Sequence, residues 1–293
     1  MIGRQAAANE RQDTHYVRKK IRSGISTGMG LGKSDAELIP MIAEAGFDAF
    51  FTGWSDGSDI RSLAALGKEC GLEYQSVHAP FQRMDRIWNE GEEGDAAADE
   101  LIRCLHACAE NGVGIMVAHS IIGMDKHSPN MLGVSRFAKV VYEAEKCGVT
   151  VAIENVEGIE YLIKLRDSLG MSPAVGYCWD TGHEMCYNAC ADVPALFEGK
   201  LVCLHLNDNM KQTDPDVITW LDDSHLMPFD GLADWTGIAA RLDRENFNGC
   251  MMYELTSRSK PGRHTHDIYA GLDAMGFLRL AREKADAVAA LRA

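Results

Sequence analysis

Eight short apolar runs, each followed by a stretch with helical periodicity, are the feature that most narrows what this chain can fold into. The runs fall at residues 21–27, 47–53, 72–80, 114–120, 149–156, 174–179, 201–208 and 249–255. They are apolar nearly throughout rather than alternating, which predicts a parallel sheet buried on both faces. Between them lie helical patterns. One opens at Ser34, with Glu37 at capping-box spacing, and stops at Gly46. Others cover 59–70, 95–111, 129–147 and 159–169; a brief one is expected at 192–198, another begins near Asp234, and the last fills 266–291. Residues 81–94 read as a long polar loop. No hydrophilic linker divides the repeats. Eight strand–helix units in about 270 residues predict a single α/β domain, a (β/α)8 barrel, over residues 21–293, with residues 1–20 as an N-terminal tail.

The runs end in a particular way. Most close on a residue able to ligate a metal: His78, His119, Glu154, Asp180 with His183 three positions on, His205 and Glu254. The excursion after the seventh run adds Asp223 and His225. In a (β/α)8 barrel the reactive groups sit at the C-terminal ends of the strands, so these nine residues are expected at one mouth. Glu154 and Glu254 each terminate a strongly apolar run. A buried carboxylate without a cation is costly, and one divalent ion answers that cost for both. Adding Asp180 and His205 gives three oxygen donors and one nitrogen, a set that suits manganese, zinc, cobalt or magnesium with positions left for substrate oxygens. Manganese or zinc is favoured. Gly182 is read as the residue that lets the chain turn between Asp180 and His183.

Composition excludes several other readings. The chain has 293 residues and a net charge of −14, which repels phosphodiester backbones and makes nucleic acid an improbable partner. No apolar stretch reaches the roughly twenty residues a membrane span needs. Nine cysteines, without a CxxC pair, point to reduced thiols in a cytoplasmic protein; Cys186 and Cys190 read as packing residues. No GxGxxG follows the first run and no Walker sequence occurs, so nucleotide-binding α/β folds lose their main support.

Several of these motifs together resemble the xylose isomerase-like barrel superfamily, which includes sugar phosphate isomerases and epimerases and the endonuclease IV family. They are HAP at His78, AIEN at Glu154, DTGH at Asp180 to His183, HLND at His205 and YEL at Glu254. The resemblance covers nearly the whole chain from about residue 21. By resemblance to the ketose 3-epimerase and inosose isomerase branches, Glu154, Asp180, His205 and Glu254 would hold one divalent ion. Glu154 and Glu254 would also form the catalytic acid/base pair, and His183 would contact a substrate oxygen. Those epimerases carry an arginine six residues beyond the metal histidine; this chain has Lys211 there, which cannot offer the same two-pronged grip.

The expected chemistry is isomerisation or epimerisation of a sugar, sugar phosphate or polyol. Proton transfer would occur next to a carbonyl, through a metal-bound enediolate. His78, His183 and Lys211 are the expected substrate-binding residues, with Trp54, Phe81 and Trp88 as apolar walls. Arg83 and Arg86 are candidates for meeting a phosphate or carboxylate. Two alternatives share the barrel. The endonuclease branch uses three zinc ions and nine ligands, and all nine residue types are present, so His78, His119, His183, Asp223 and His225 are candidate additional ligands. Metal-dependent lyases and C-glycoside-cleaving enzymes are the other. Barrels of this type commonly pair, so a homo-oligomer is allowed.

Overall fold

A computed structural model describes residues 21–124, 128–197 and 199–292 of the protein; the tail assigned to residues 1–20 lies outside them. Eight strands alternate with eight α-helices: β1 (Ser23–Ser26), α1 (Asp35–Glu44), β2 (Ala49–Gly53), α2 (Ile60–Glu69), β3 (Glu73–His78), α3 (Glu92–Glu110), β4 (Ile115–His119) and α4 (Met131–Cys147). The second half continues with β5 (Thr150–Glu154), α5 (Ile159–Leu169), β6 (Val175–Asp180), α6 (Thr181–Cys186), β7 (Leu201–His205), α7 (Trp235–Arg244), β8 (Met251–Tyr253) and α8 (Ala274–Ala290). Every pairing is parallel and sequential, with β8 against β1. The ring closes between β7 and β8, where Leu206 N donates to Met252 O and Glu254 N donates to Leu206 O. The expected single (β/α)8 barrel is what forms.

Two apolar layers explain why it does. Helix faces pack on the outside of the strands through Phe50, Val77, Met116, Val151, Tyr177 and Leu204. Inside the ring the strands present mostly small residues: Ala49, Phe51, Cys250 and Met252 on one side, Val117, Ala152, Cys178 and Cys203 on the other. Strands buried on both faces have no polar side to show, which is why the runs read as continuously apolar. At Gly24 an added Cβ would lie 2.5 Å from Met252 Sδ, so the lumen there has no room for a side chain. Cys186 is a buried packing residue as expected, whereas Cys190 is exposed; neither falls into a metal-type cluster among the described residues, although Cys178 and Cys203 group with His205.

Local chemistry fixes the ends of the elements. Ser34 and Glu37 form the expected capping box of α1. Where the sequence reading differs from the fold, the reason is local. The loop over 81–94 contains a 3-10 turn, Arg86–Trp88, and α3 starts at Glu92 rather than 95, with three acidic residues in its first turn. The brief helix at 192–198 is a 3-10 turn, Val193–Phe197. The α-helix after β6 instead starts at once, because Asp180 caps it: Asp180 Oδ1 accepts from His183 N at 2.7 Å.

Trp88 is buried rather than lining the mouth. Its Nε1 donates to Ser120 O, and its ring packs against Phe137 and Tyr161, over Gly133. This turn is held by Arg136 of α4, whose side chain is 3% exposed. Its guanidinium donates to Ile87 O, Asn89 O and Gly91 O and pairs with Asp95. Arg136→Met leaves three carbonyls without their donor, so it should cost about 2–4 kcal/mol of stability. Urea unfolding checks this, and a loss below about 0.5 kcal/mol, the range of ordinary surface substitutions, would contradict it.

Candidate metal centre

The nine residues from the strand ends, α6 and the excursion after β7 converge. Glu154 closes β5 and is fully buried. Its Oε1 lies 3.0 Å from His205 Nδ1 of β7 and 3.4 Å from His183 Nδ1 of α6. Its Oε2 lies 3.3 Å from His78 Nε2 of β3 and 3.4 Å from His119 Nε2 of β4. Glu254, just past β8, brings Oε2 to 3.2 Å from His205 Nδ1 and 3.8 Å from His225 Nδ1. Asp223 bridges His183 and His225, 3.6 Å from His183 Nε2 and 3.0 Å from His225 Nε2. Thus six β-strands and the excursion after β7 meet at one point.

The residues present fit a divalent cation. One ligand atom from each of Glu154, Asp180, His205 and Glu254 lies within 4.8 Å of the others, and so do sets from His78, His119 and Glu154 and from Asp180, His183 and His225. Glu154 Oε2 and His205 Nε2 are buried without a hydrogen-bond partner, despite the imidazoles close to the carboxylate. Lone pairs gathered at such distances but unaligned as hydrogen bonds suit an ion between them better than they suit each other.

The electrostatics follow from this crowding. Burial pushes Glu154 up, but His205, His119 and His183 outweigh it and hold the carboxyl well below its ordinary range. Glu254 is held down to about 2, since His205 and His225 overcome its burial. Asp180 goes the other way, pushed up to about 6 by burial against the pull of His183 and His225. Burial also lowers His78 and His119; Glu154 reverses that for His78 but not for His119.

Supporting residues orient this set. Asn207 Nδ2 donates to Asp180 Oδ2 at 2.9 Å, while Asn155 accepts from Asp180 N and donates to Asp180 O. Gly182 is required for a reason other than a turn: it sits inside α6, and a Cβ there would fall 1.9 Å from Asn207 Oδ1. Sequence reading passed over Asn155 and Asn207, although both directly follow or nearly follow a ligand residue, in AIEN and HLND. The Asp of HLND, Asp208, faces away from the cluster and accepts from Trp235 Nε1, Ala233 N and Asn209 N.

The other candidates divide. Phe81 lies at the site, stacked on His119 with ring centres 4.7 Å apart and edge-on to His78 at 5.6 Å. Trp54 packs partly buried against the core. Arg83 and Arg86 are spent on Glu100, and on Asp85 and Glu93. Lys211 is exposed with φ 63, its N–H donating to Asn209 Oδ1; no ion pair joins its ammonium to the cluster among the described residues. A cation that sequence reading missed does reach the cluster: Lys260 Nζ lies 3.5 Å from Asp223 Oδ2.

Residues 39–279 match the family described as xylose isomerase-like TIM barrel, and the chain belongs to that family. A protein of Sinorhizobium fredii named y4fM, itself uncharacterized, is 28% identical over 282 residues, covering 81% of this chain and 88% of that one. The fold is similar to D-psicose 3-epimerase of Clostridium cellulolyticum, solved with D-tagatose: TM-score 0.70, 18% identity, 93% of this chain and 100% of that one. It is also similar to 3-keto-D-glucoside 4-epimerase of E. coli: TM-score 0.66, 18% identity, 92% and 100%. No helix among the described residues is long and apolar enough to cross a membrane.

Ion-free protein should show the crowding in its pH dependence. Burial pulls His225 down, but Asp223 and Glu254 outweigh it and raise it to about 9. A folded value above the unfolded one, about 6.5, means stability fully present below pH 6.5 and lost as pH rises through about 9. The melting temperature of chelator-treated protein should therefore fall between pH 6.5 and 9. A flat or rising profile would contradict this electrostatic picture.

Proposed function

We propose that the protein is a divalent-metal-dependent sugar isomerase or epimerase that moves a proton next to a carbonyl. One observation carries the reading: Glu154, Asp180, His205 and Glu254 bring ligand atoms within 4.8 Å of one another from four separate strands. An ion held there supplies Lewis acidity to a substrate carbonyl. Manganese or zinc suits the mixed oxygen and nitrogen donors.

The chain's own residues divide the remaining work. Glu254 is 24% exposed while Glu154 is wholly buried, so Glu254 faces open space and is the better-placed carboxylate to take a carbon-bound proton directly. Glu154, enclosed by imidazoles, exchanges its proton through them: His78 and His119 stand at its Oε2. His183 is anchored through Nδ1, 3.0 Å from Asn155 O, which leaves Nε2 to face Asp223 and a substrate oxygen. Phe81 supplies an apolar face for ring carbons, beside two imidazoles. Fold likeness to two sugar epimerases supports the substrate class.

The convergence of all nine residues supports a second reading, a zinc phosphodiesterase at abasic DNA sites with several ions. The net charge of −14 weighs against a duplex partner.

Glu154→Gln and Glu254→Gln should each cut solvent deuterium incorporation into ketohexoses by about 10²- to 10⁴-fold, the usual contribution of a positioned acid or base, in folded protein. Exchange at the wild-type rate in both variants would dismiss the pair. Incision of an oligonucleotide carrying an abasic site, with zinc at low salt and no ketose exchange, would establish the second reading instead.

A further inference from the structure

The loop following β8, residues 255–266, gathers Arg258, Lys260 and Arg263 within a chain that is otherwise strongly acidic. Loops after the seventh and eighth strands are where barrels of this kind often hold a phosphate. The three cations are used differently. Arg263 Nη2 donates to Asp222 Oδ1 at 2.6 Å, and its Nε reaches Leu221 O at 3.4 Å. Asp222 also accepts from Thr213 N and Thr213 Oγ1. This clamp ties the loop after β8 to the segment carrying Trp220 and Asp223. Arg258 packs its stem over Gly30 at the opposite edge of the loop.

Lys260 alone is turned to the metal-type cluster. Its ammonium lies 3.5 Å from Asp223 Oδ2 and 5.5 Å from the centre of the Trp220 ring, with the side chain 25% exposed. Among the described residues it is the only lysine or arginine within ion-pair distance of any of the nine clustered residues. His266, 3% exposed, stands in the same loop, its Nδ1 3.0 Å from Thr265 Oγ1. An ammonium a quarter exposed, set between a ring and a carboxylate that it meets at 3.5 Å rather than at hydrogen-bond length, keeps N–H donors free for anionic oxygens.

We propose that Lys260 is a specificity-determining residue that binds an anionic group, a phosphate ester or a carboxylate, on the sugar substrate, with the Trp220 ring holding its ammonium in place. This rests on the reading of the centre as a sugar isomerase or epimerase site and narrows its substrates to sugar phosphates or sugar acids. The anionic group lies toward the loops after β7 and β8, and the reacting carbons lie toward Glu254.

The test uses full-length, manganese-loaded wild type with Lys260→Met and Lys260→Arg. Binding of D-fructose 6-phosphate, D-glucuronate, D-fructose and inorganic phosphate is followed by calorimetry, and manganese affinity is measured alongside. Loss of a charge-assisted hydrogen bond should weaken at least one anionic sugar and inorganic phosphate about tenfold or more in Lys260→Met. D-fructose should change less than twofold, and Lys260→Arg should restore most of the loss. The phosphate and carboxylate arms show which anion is preferred. If wild type binds anionic and neutral sugars equally, or Lys260→Met affects both alike, Lys260 merely balances the charge of Asp223 and the proposal fails. Deuterium exchange into D-fructose or D-fructose 6-phosphate persisting in that case leaves the isomerase reading standing; its absence from D-fructose, D-fructose 6-phosphate and D-glucuronate in wild type removes that reading separately.

Discussion

A carboxylate sealed inside a protein must be answered by positive charge, and Glu154 is the point where this barrel meets that demand. No water reaches it, and four imidazoles from β3, β4, β7 and α6 surround it within 3.4 Å. In ion-free protein those imidazoles can carry the compensating protons. In the proposed metal-bound state, His205 would be a neutral ligand and the ion would carry the charge. The arrangement serves either state, but the unaligned contacts at Glu154 Oε2 and the unpartnered His205 Nε2 favour the second. The rest of the fold delivers these groups to one height: parallel register pairs His119 with Glu154, and Asp180 with His205.

Much of this was legible in the residues because the two signals were strong and independent. Continuous apolar runs announce strands buried on both faces, and a charged residue closing such a run has nowhere to go but the rim. Hence the barrel and the six residues that close strands β3 to β8 were readable one strand at a time, and Asp223 and His225 were read from the excursion after β7. What was not legible came from the loops. Trp88 looked like a pocket wall, but its place is set by Gly133 and Arg136, which lie more than forty residues along the chain. Arg83 and Arg86 looked available for an anion; acidic neighbours on the same loop and on α3 occupy them. The helix that begins directly after Asp180 was read as a turn, since Gly182 signals one, whereas its small size answers to Asn207.

Lys260 illustrates the same limit from the other side. Nothing in its sequence neighbourhood distinguishes it from Arg258 or Arg263. The clamp between Arg263 and Asp222, with the bond from Thr256 N to His225 O, sets the loops after β7 and β8 against each other, so that one of three cations faces the centre while another is consumed in holding it there. The division of labour is therefore between strands, which fix the ligands, and loops, which choose what approaches them.

The proposed activity needs a cation shared by residues from separate strands. Crystals grown with manganese, measured at the manganese absorption edge, test it directly. An anomalous peak should lie among Glu154, Asp180, His205 and Glu254, about 2.0–2.3 Å from their ligand atoms as for other divalent ions in mixed oxygen and nitrogen sites. No peak there at saturating manganese, with the four side chains bonded only to one another, would contradict it.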